Sequence, residues 1–208
     1  TQRKKLKQAC LCTEDVQAYR LYLKEHFFLT NNWIPAGLRR AVEHLRQAIR
    51  RDPKLAVAHA GMAQAYTMLG YLKIVPPAEA FPKARSASDR ALEIDPTSGE
   101  AHGAVGLVRF LHDWSPVAAV GSFERTIEMD AANPRHRTIL AFALAALDRG
   151  DRTLAEANRA VELDPQSVHA NGGLGHVLYM VRRFDAAVIQ LRKTLELEER
   201  LPTVLTSL

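Results

Sequence analysis

Aromatic residues, cysteines and long apolar runs are all scarce in this 208-residue chain. Aromatic residues make up 7% of it, which disfavours a sheet-based fold because they are enriched in strands. Its two cysteines, Cys10 and Cys12, lie one residue apart near the N-terminus, so the body carries no disulfide framework and no Cys-x-x-Cys spacing. No apolar run approaches the roughly 20 residues that span a bilayer, and we expect no membrane association.

The chain also lacks an initiator Met and a signal-peptide pattern, so we expect an excised segment of a longer protein. The cysteine usage fits a reducing, cytoplasmic setting. The net charge is +5, but Arg3, Lys4, Lys5 and Lys7 carry four of the 28 basic residues. That leaves 24 basic against 23 acidic residues from position 8 onward. We interpret residues 1–13 as a basic linker or tail, and we do not expect a nucleic-acid partner within this segment.

The chain is rich in helix-forming residues, with 31 Ala and 26 Leu. One segment recurs along it in five copies. The last residues of successive copies are 43, 35, 34 and 34 positions apart. A period of about 34 residues is too long for a coiled-coil heptad and fits one helical hairpin per repeat. The five copies are Arg40–Pro53, Lys83–Pro96, Ala118–Ala131, Arg152–Pro165 and Ala186–Glu199.

Each copy predicts an amphipathic helix, with small or apolar residues at i, i+4 and i+7. Pro disfavours helical geometry at the residue before it, so Asp-Pro pairs should end three of these helices, at 52–53, 95–96 and 164–165. Thr97 and Glu100 form a possible capping box for the helix that follows.

The other helix of each hairpin has a small residue where the two helices must approach closely. These residues are Ala63, Gly106, Ala141 and Gly175, whereas the first copy has Leu23 there. His59 and His102 occupy equivalent places in consecutive repeats, which indicates a structural role common to the fold.

Residues 14–199 resemble the tetratricopeptide repeat (TPR). The resemblance is carried by the period, the small residue in the first helix, the Ala-x3-Phe/Leu-x2-Ala pattern of the second helix and the closing Asp-Pro. The resemblance implies an all-α, right-handed superhelical solenoid of five hairpins, followed by a capping-helix start or truncated end at 201–208. The hairpins are expected at about 14–53, 54–96, 97–131, 132–165 and 166–200. About six extra residues around Asn31–Gly37 and nine around Tyr71–Phe81 should loop out between the helices of their hairpins.

Three phrases are similar to a bacterial subset of TPR proteins: residues 18–24, 59–66 and 105–114. In that subset the repeats follow winged-helix, adenylate cyclase or protein kinase domains. The resemblance implies the repeat region of a bacterial signalling or transcriptional regulator.

Stacked hairpins create a concave side, which we expect to bind a peptide or partner domain. The predicted groove is apolar along its middle and basic at its N-terminal end. There are two alternatives. The chain could self-associate through an uncapped end, giving a homodimer, or it could be an accessory to an enzyme domain outside these residues. The candidate groove residues are Arg20, Lys24, Phe27, Gln64, Met68, Leu107, Phe110, Arg135, Phe142, His169, His176 and Tyr179.

Other chemistry has little support. We identify no catalytic residues, no cofactor and no metal site, since His169 and His176 lack a third ligand of suitable reach. The Gly172–Gly175 run lies inside a predicted helix and is not a phosphate loop. Trp33 and Trp114, each before a Pro two residues later, are expected to cover the tips of their hairpins, or alternatively to act as exposed anchors.

Overall fold

The computed structural model describes Thr13 and residues 15–31 and 35–199, and among these the side chains of Thr13, 15–24 and 35–197. Every regular element within these ranges is an α-helix. In chain order the helices are α1 Val16–Asn31, α2 Pro35–Arg51, α3 Ala56–Tyr71, α4 Pro77–Ile94, α5 Gly99–Leu111, α6 Pro116–Met129, α7 Pro134–Ala145, α8 Gly150–Leu163, α9 Val168–Met180 and α10 Phe184–Glu199.

The chain divides into two compact units, Thr1–Met129 and Asp130–Leu208. In unit 1, α1 packs on α2, α3 on α4 and α5 on α6, and α3 also packs against the first helices of both neighbouring hairpins. In unit 2, α7 packs on α8 and α9 on α10, while α9 also contacts both α7 and α8. Each unit is therefore a stack of helical hairpins.

Short polar residues start several helices. The Asp15 carboxylate accepts hydrogen bonds from the backbone N–H groups of Gln17 and Ala18, at 2.8 and 2.9 Å. Asn133, Ser98 and Ser167 cap α7, α5 and α9 in a similar way.

The capping box predicted at Thr97 and Glu100 is wrong. Ser98 caps α5 instead, because its Oγ accepts from the Ala101 N–H at 3.3 Å. The Thr97 hydroxyl donates to Asp95 at 2.7 Å. The threonine hydroxyl is thus engaged by Asp95 of the Asp-Pro turn, and the N-cap lies one residue later than predicted.

The Asp-Pro pairs do end their helices, as predicted, since α2, α4 and α8 stop at Arg51, Ile94 and Leu163. The proline carbonyl after each stop then accepts a side-chain hydrogen bond from the next helix. His59 donates to Pro53 at 3.0 Å, and His102 donates to Pro96 at 2.9 Å. Burial lowers the pKa of His59, although this hydrogen bond acts in the opposite direction.

The fifth repeat makes the same connection with an amide, because Asn171 donates to the Pro165 carbonyl at 3.0 Å. The structural role predicted for the repeated histidines is therefore confirmed. In these three repeats a side chain near the start of the first helix of the hairpin is hydrogen-bonded to the turn before it.

Close helix approach at the small residues is also confirmed. A Cβ placed on Gly106 would lie 2.4 Å from the Phe123 ring, and one on Gly175 would lie 2.6 Å from Leu191 Cδ2. Ala63 and Ala141 are fully buried. Leu23, at the matching place in α1, is 40% exposed, so it does not occupy a tight interhelical contact.

The prediction that Tyr71–Phe81 loops out is only partly right. Pro77 starts α4, so residues 77–81 form additional helix and only 72–76 connect the two helices. Proline suits a first helical position because its missing N–H has no helical partner there. Buried Phe81 then packs over Gly70 and stacks on His112, with ring centroids 4.4 Å apart. The first insertion falls partly outside the described residues, but α1 continues as helix to Asn31.

Four hairpin turns place a residue other than glycine in the left-handed region. Their φ values are 56° at Lys73, 50° at Trp114, 55° at Asp148 and 62° at Arg182. A side chain with a Cβ costs about 1–2 kcal/mol in that conformation. Each turn therefore stores local backbone strain.

We expect Trp114→Gly to raise the free energy of unfolding by about 0.5–1 kcal/mol, because glycine relieves this strain at some cost in chain entropy. The Trp114 side chain is 81% exposed, so little packing is lost. Urea unfolding followed by circular dichroism measures the change. Trp114→Ala, which removes the ring but keeps the Cβ, is the control, and equal effects of the two substitutions would contradict the strain argument.

Candidate functional site

The basic end of the predicted groove lies on α1 in unit 1. Arg20 and Lys24 are both exposed there. Phe27 also belongs to α1, but its side chain lies outside the described ones. The structure therefore leaves two cations available to a partner on this helix.

The apolar middle of the predicted groove is not an open surface. Met68 and Leu107 are 2% and 7% exposed, and Gln64 is equally buried. The Gln64 Nε2 donates to a Glu100 carboxylate oxygen at 3.2 Å, which links α3 to α5. Because these helices pack directly on one another, the residues predicted to line the groove serve mainly as contacts between hairpins; Phe110 is half-buried.

In unit 2 the first two candidate residues, Arg135 and His169, have little exposed polar surface: Arg135 is buried and His169 is half-buried. Arg135 lies on α7, and His169 stands in the first turn of α9 with its Nε2 buried. Burial, reinforced by the Arg135 charge, lowers the pKa of His169 to about 4. At neutral pH this imidazole is uncharged, so it is not a cationic anchor.

Unit 2 also presents two pairs of rings, which we call the aromatic row: Phe142 with His176, and Tyr179 with Phe184. Phe142 and His176 meet edge to face, with ring centroids 6.5 Å apart and planes at 78°. Tyr179 and Phe184 are 5.7 Å apart at 59°. His176 and Tyr179 are three residues apart on α9 and so share one helix face. The row thus joins α7, α9 and α10.

The aromatic row is accessible to a partner. His176, Tyr179 and Phe184 are exposed, and Met180 beside them is also exposed, whereas Phe142 is half-buried. Sequence reasoning missed Phe184, which lies just before the last predicted copy, Ala186–Glu199, and is the first residue of α10. The signal available was its position just four residues beyond Met180, across a tight turn.

Trp114 does not cover its hairpin tip. It is 81% exposed because the left-handed backbone of its turn directs the indole outward. The exposed alternative matches this placement. Trp33 lies outside the described residues, as do the tail with Cys10 and Cys12 and the segment 201–208.

A shallow cleft of about 620 Å³ lies along α4, lined in part by Arg85, Arg90 and His112. Its cations already have acidic partners, since Arg85 pairs with Asp113 and Arg90 with Glu93. The cleft is therefore a less suitable site for a charged ligand than its arginines suggest. No helix in the described part of the chain combines the length and apolarity needed to cross a membrane.

Comparison with known proteins gives matches at the level of structure. Neither the known protein families nor the curated proteins include a match to this sequence. TTC0263, a thermophilic TPR protein of Thermus thermophilus, is similar over 80% of this chain and 84% of its own, with 20% identity and a TM-score of 0.63.

Two further solved structures resemble the chain. YrrB, a TPR protein with an unusual peptide-binding site, has 20% identity and a TM-score of 0.51 over 82% of each chain. MamA from Desulfovibrio magneticus RS-1 has 18% identity and a TM-score of 0.55, covering 91% of this chain and 99% of that one. With the helical hairpins described above, these similarities confirm the predicted fold class: the chain has the all-α fold of TPR solenoid proteins.

Proposed function

We propose that this chain is a noncatalytic protein-interaction module that captures a peptide or a partner domain on the aromatic row of unit 2. The observation that carries the proposal is two ring pairs that share the α9 face, in which the rings on α9 and α10 are exposed. Exposed aromatic side chains held by neighbouring rings are good anchors, because they bury a large area with little loss of side-chain entropy. The TPR fold supports the proposal, since stacked hairpins build extended binding surfaces.

The chemistry around the row indicates the kind of partner. Arg182 and Arg183 are exposed in the turn between Met180 and Phe184. A ligand with aromatic or aliphatic side chains at its centre and acidic residues on one side would satisfy both the rings and these cations. YrrB, whose structure is similar, has a peptide-binding site, which is consistent with this proposal.

A selection of displayed random peptides tests the proposal directly. We expect the wild-type chain to select peptides with apolar anchors, and the double variant His176→Glu with Tyr179→Glu to bind them at least about tenfold more weakly, because the new acids replace two contact rings. Both side chains are exposed, so the helical circular-dichroism signal should be unchanged. Titration of a synthetic selected peptide, followed by fluorescence anisotropy, measures the difference.

Asn158→Glu supplies the matched control, since it adds an acid at an exposed position of α8, a helix of the same unit that contributes no ring to the row. It should leave peptide affinity unchanged. Peptides that bind the double variant as tightly as the wild type would place the interaction elsewhere. A selection that yields no binder would contradict the proposal.

We also propose that the module forms the repeat region of a bacterial cytoplasmic signalling or transcriptional regulator. The three phrases shared with that subset of TPR proteins support this context. The flanking reading frame tests it: a winged-helix, cyclase or kinase domain upstream is the expected result. A different enzyme domain there would instead support the accessory role.

A further inference from the structure

The outer face of α10 has the form of a helix-binding surface. Val188 and Leu195 come 34 residues, one repeat period, after Leu154 and Val161 on α8. Leu154 and Val161 are half-buried against a core cluster to which α9 contributes. Val188 and Leu195 are 51% and 60% exposed, because no helix among the described residues covers them. This face of α10 therefore carries apolar side chains of the kind that pack against a following helix, but no described helix packs on it.

The spacing along this face is that of a two-helix seam. Phe184, Val188, Leu191 and Leu195, which we call the apolar seam, follow one another at intervals of four, three and four residues. This is the alternation found where two helices interlock side by side, with a β-branched residue and leucines at the central positions. Leu191 is half-buried because it also packs on α9 beside Gly175. The seam is therefore open mainly at Phe184, Val188 and Leu195.

Two opposite charges flank the apolar seam on one side. Asp185 and Arg192 are seven residues apart, so they lie on the same edge of the helix, and both are exposed. Neither forms an ion pair with another side chain in the described part of the chain. An edge with one acid and one base at heptad spacing is complementary to its own copy in the antiparallel direction.

We propose that two copies of this chain associate through their apolar seams, with the α10 helices antiparallel about a two-fold axis. Phe184 then lies opposite the partner subunit's Leu195, and Val188 lies opposite the partner subunit's Leu191. In this register Asp185 comes within about 3 Å, along the helix axis, of the partner subunit's Arg192. The two-fold axis generates this ion pair twice, as an isologous interface requires.

The proposed dimer and the proposed peptide capture share one residue, Phe184, but each surface also has residues of its own. Val188 and Leu195 belong only to the apolar seam, and His176 belongs only to the aromatic row. A variant of His176 should therefore lose peptide and remain dimeric, whereas a variant of Leu195 should lose the dimer and still bind peptide. The failure of one proposal is thus distinguishable from the failure of the other.

Sedimentation velocity of the full chain from about 1 to 300 μM tests the association, because small interfaces associate in this range. We expect the wild type to dimerise and Leu195→Asp to raise the dimer dissociation constant at least about a hundredfold, because each subunit would bury a carboxylate in the seam. Lys193→Asp, on the opposite side of the same helix, is the control and should leave the dimer intact. Circular dichroism checks that all variants remain helical.

A charge exchange tests the register. Asp185→Arg alone and Arg192→Asp alone should each raise the dissociation constant about tenfold, because like charges then face each other. The double exchange should return it to within about threefold of the wild type. A wild type that stays monomeric over this concentration range would overturn the proposal. So would a dimer that tolerates Leu195→Asp, or a double exchange that fails to recover.

Discussion

Gly106→Ala is expected to lower the free energy of unfolding by about 2 kcal/mol, although alanine favours helix over glycine by about 1 kcal/mol. The added Cβ would lie 2.4 and 2.7 Å from two carbons of the Phe123 ring. Phe123 is 1% exposed and cannot turn away without displacing its neighbours. The α5–α6 hairpin must therefore open slightly, and urea unfolding measures the cost.

Gly121→Ala is the matched control for this experiment, because it makes the same change in α6 with no atom within 4 Å of the added Cβ. It should raise the free energy of unfolding by about 1 kcal/mol. Adding Phe123→Leu, which creates space, tests whether the Phe123 contact causes the loss of stability. Phe123→Leu should lower the free energy of unfolding by less in the Gly106→Ala background than in the wild type. Additive effects of the two substitutions would show that the Gly106 contact is not the source of the loss.

A fall in stability between pH 6.5 and about pH 4 is expected from His169. Burial and the Arg135 charge hold its folded-state pKa at about 4, below the ordinary value of 6.5. The unfolded chain therefore binds a proton in this interval that the folded chain does not, so acidification favours unfolding. The loss of stability is absent above pH 6.5 and reaches its full size, at most about 3 kcal/mol, as the pH falls to about 4.

The N-terminal end of α9 adds to this effect, because its unpaired N–H groups disfavour a cation in the first turn. Substituting His169→Gln should flatten the pH dependence of the free energy of unfolding, measured by urea titration at several pH values. His176→Gln, which removes an exposed imidazole from the same helix, controls for the loss of a histidine. An unchanged slope in the His169 variant would show that its proton uptake is the same in both states.

Much of the helical architecture could be predicted because it depends on local sequence. The period of 34 residues places the hairpins, the Asp-Pro pairs end α2, α4 and α8, and small residues such as Gly106 and Gly175 mark the close contacts. The errors arose where two local signals competed. Thr97 resembles a cap, but the adjacent Asp95 side chain engages its hydroxyl, which leaves Ser98 to cap the helix.

The accessible surface was much harder to predict. Position within the repeat placed Met68 and Leu107 on the same helix face as Phe142 and Tyr179, yet the first pair is buried and Tyr179 is exposed. The difference depends on how closely the next helix packs, and that is a property of the neighbouring repeat. The contact between Tyr179 and Phe184 likewise depends on the path of the turn between them.

The sequence by itself thus determined which segments are helical, where they stop and which of them pair as hairpins, because helix periodicity, turn residues and small contact residues act over a few positions. The accessibility of a given apolar side chain was decided by tertiary packing. Apolar residues at equivalent repeat positions are covered on α8 by the following helix and exposed on α10, where no described helix follows. The two proposals rest on the aromatic row and the apolar seam. The exposure of both surfaces was decided by tertiary packing, because burial is a property of the assembled stack.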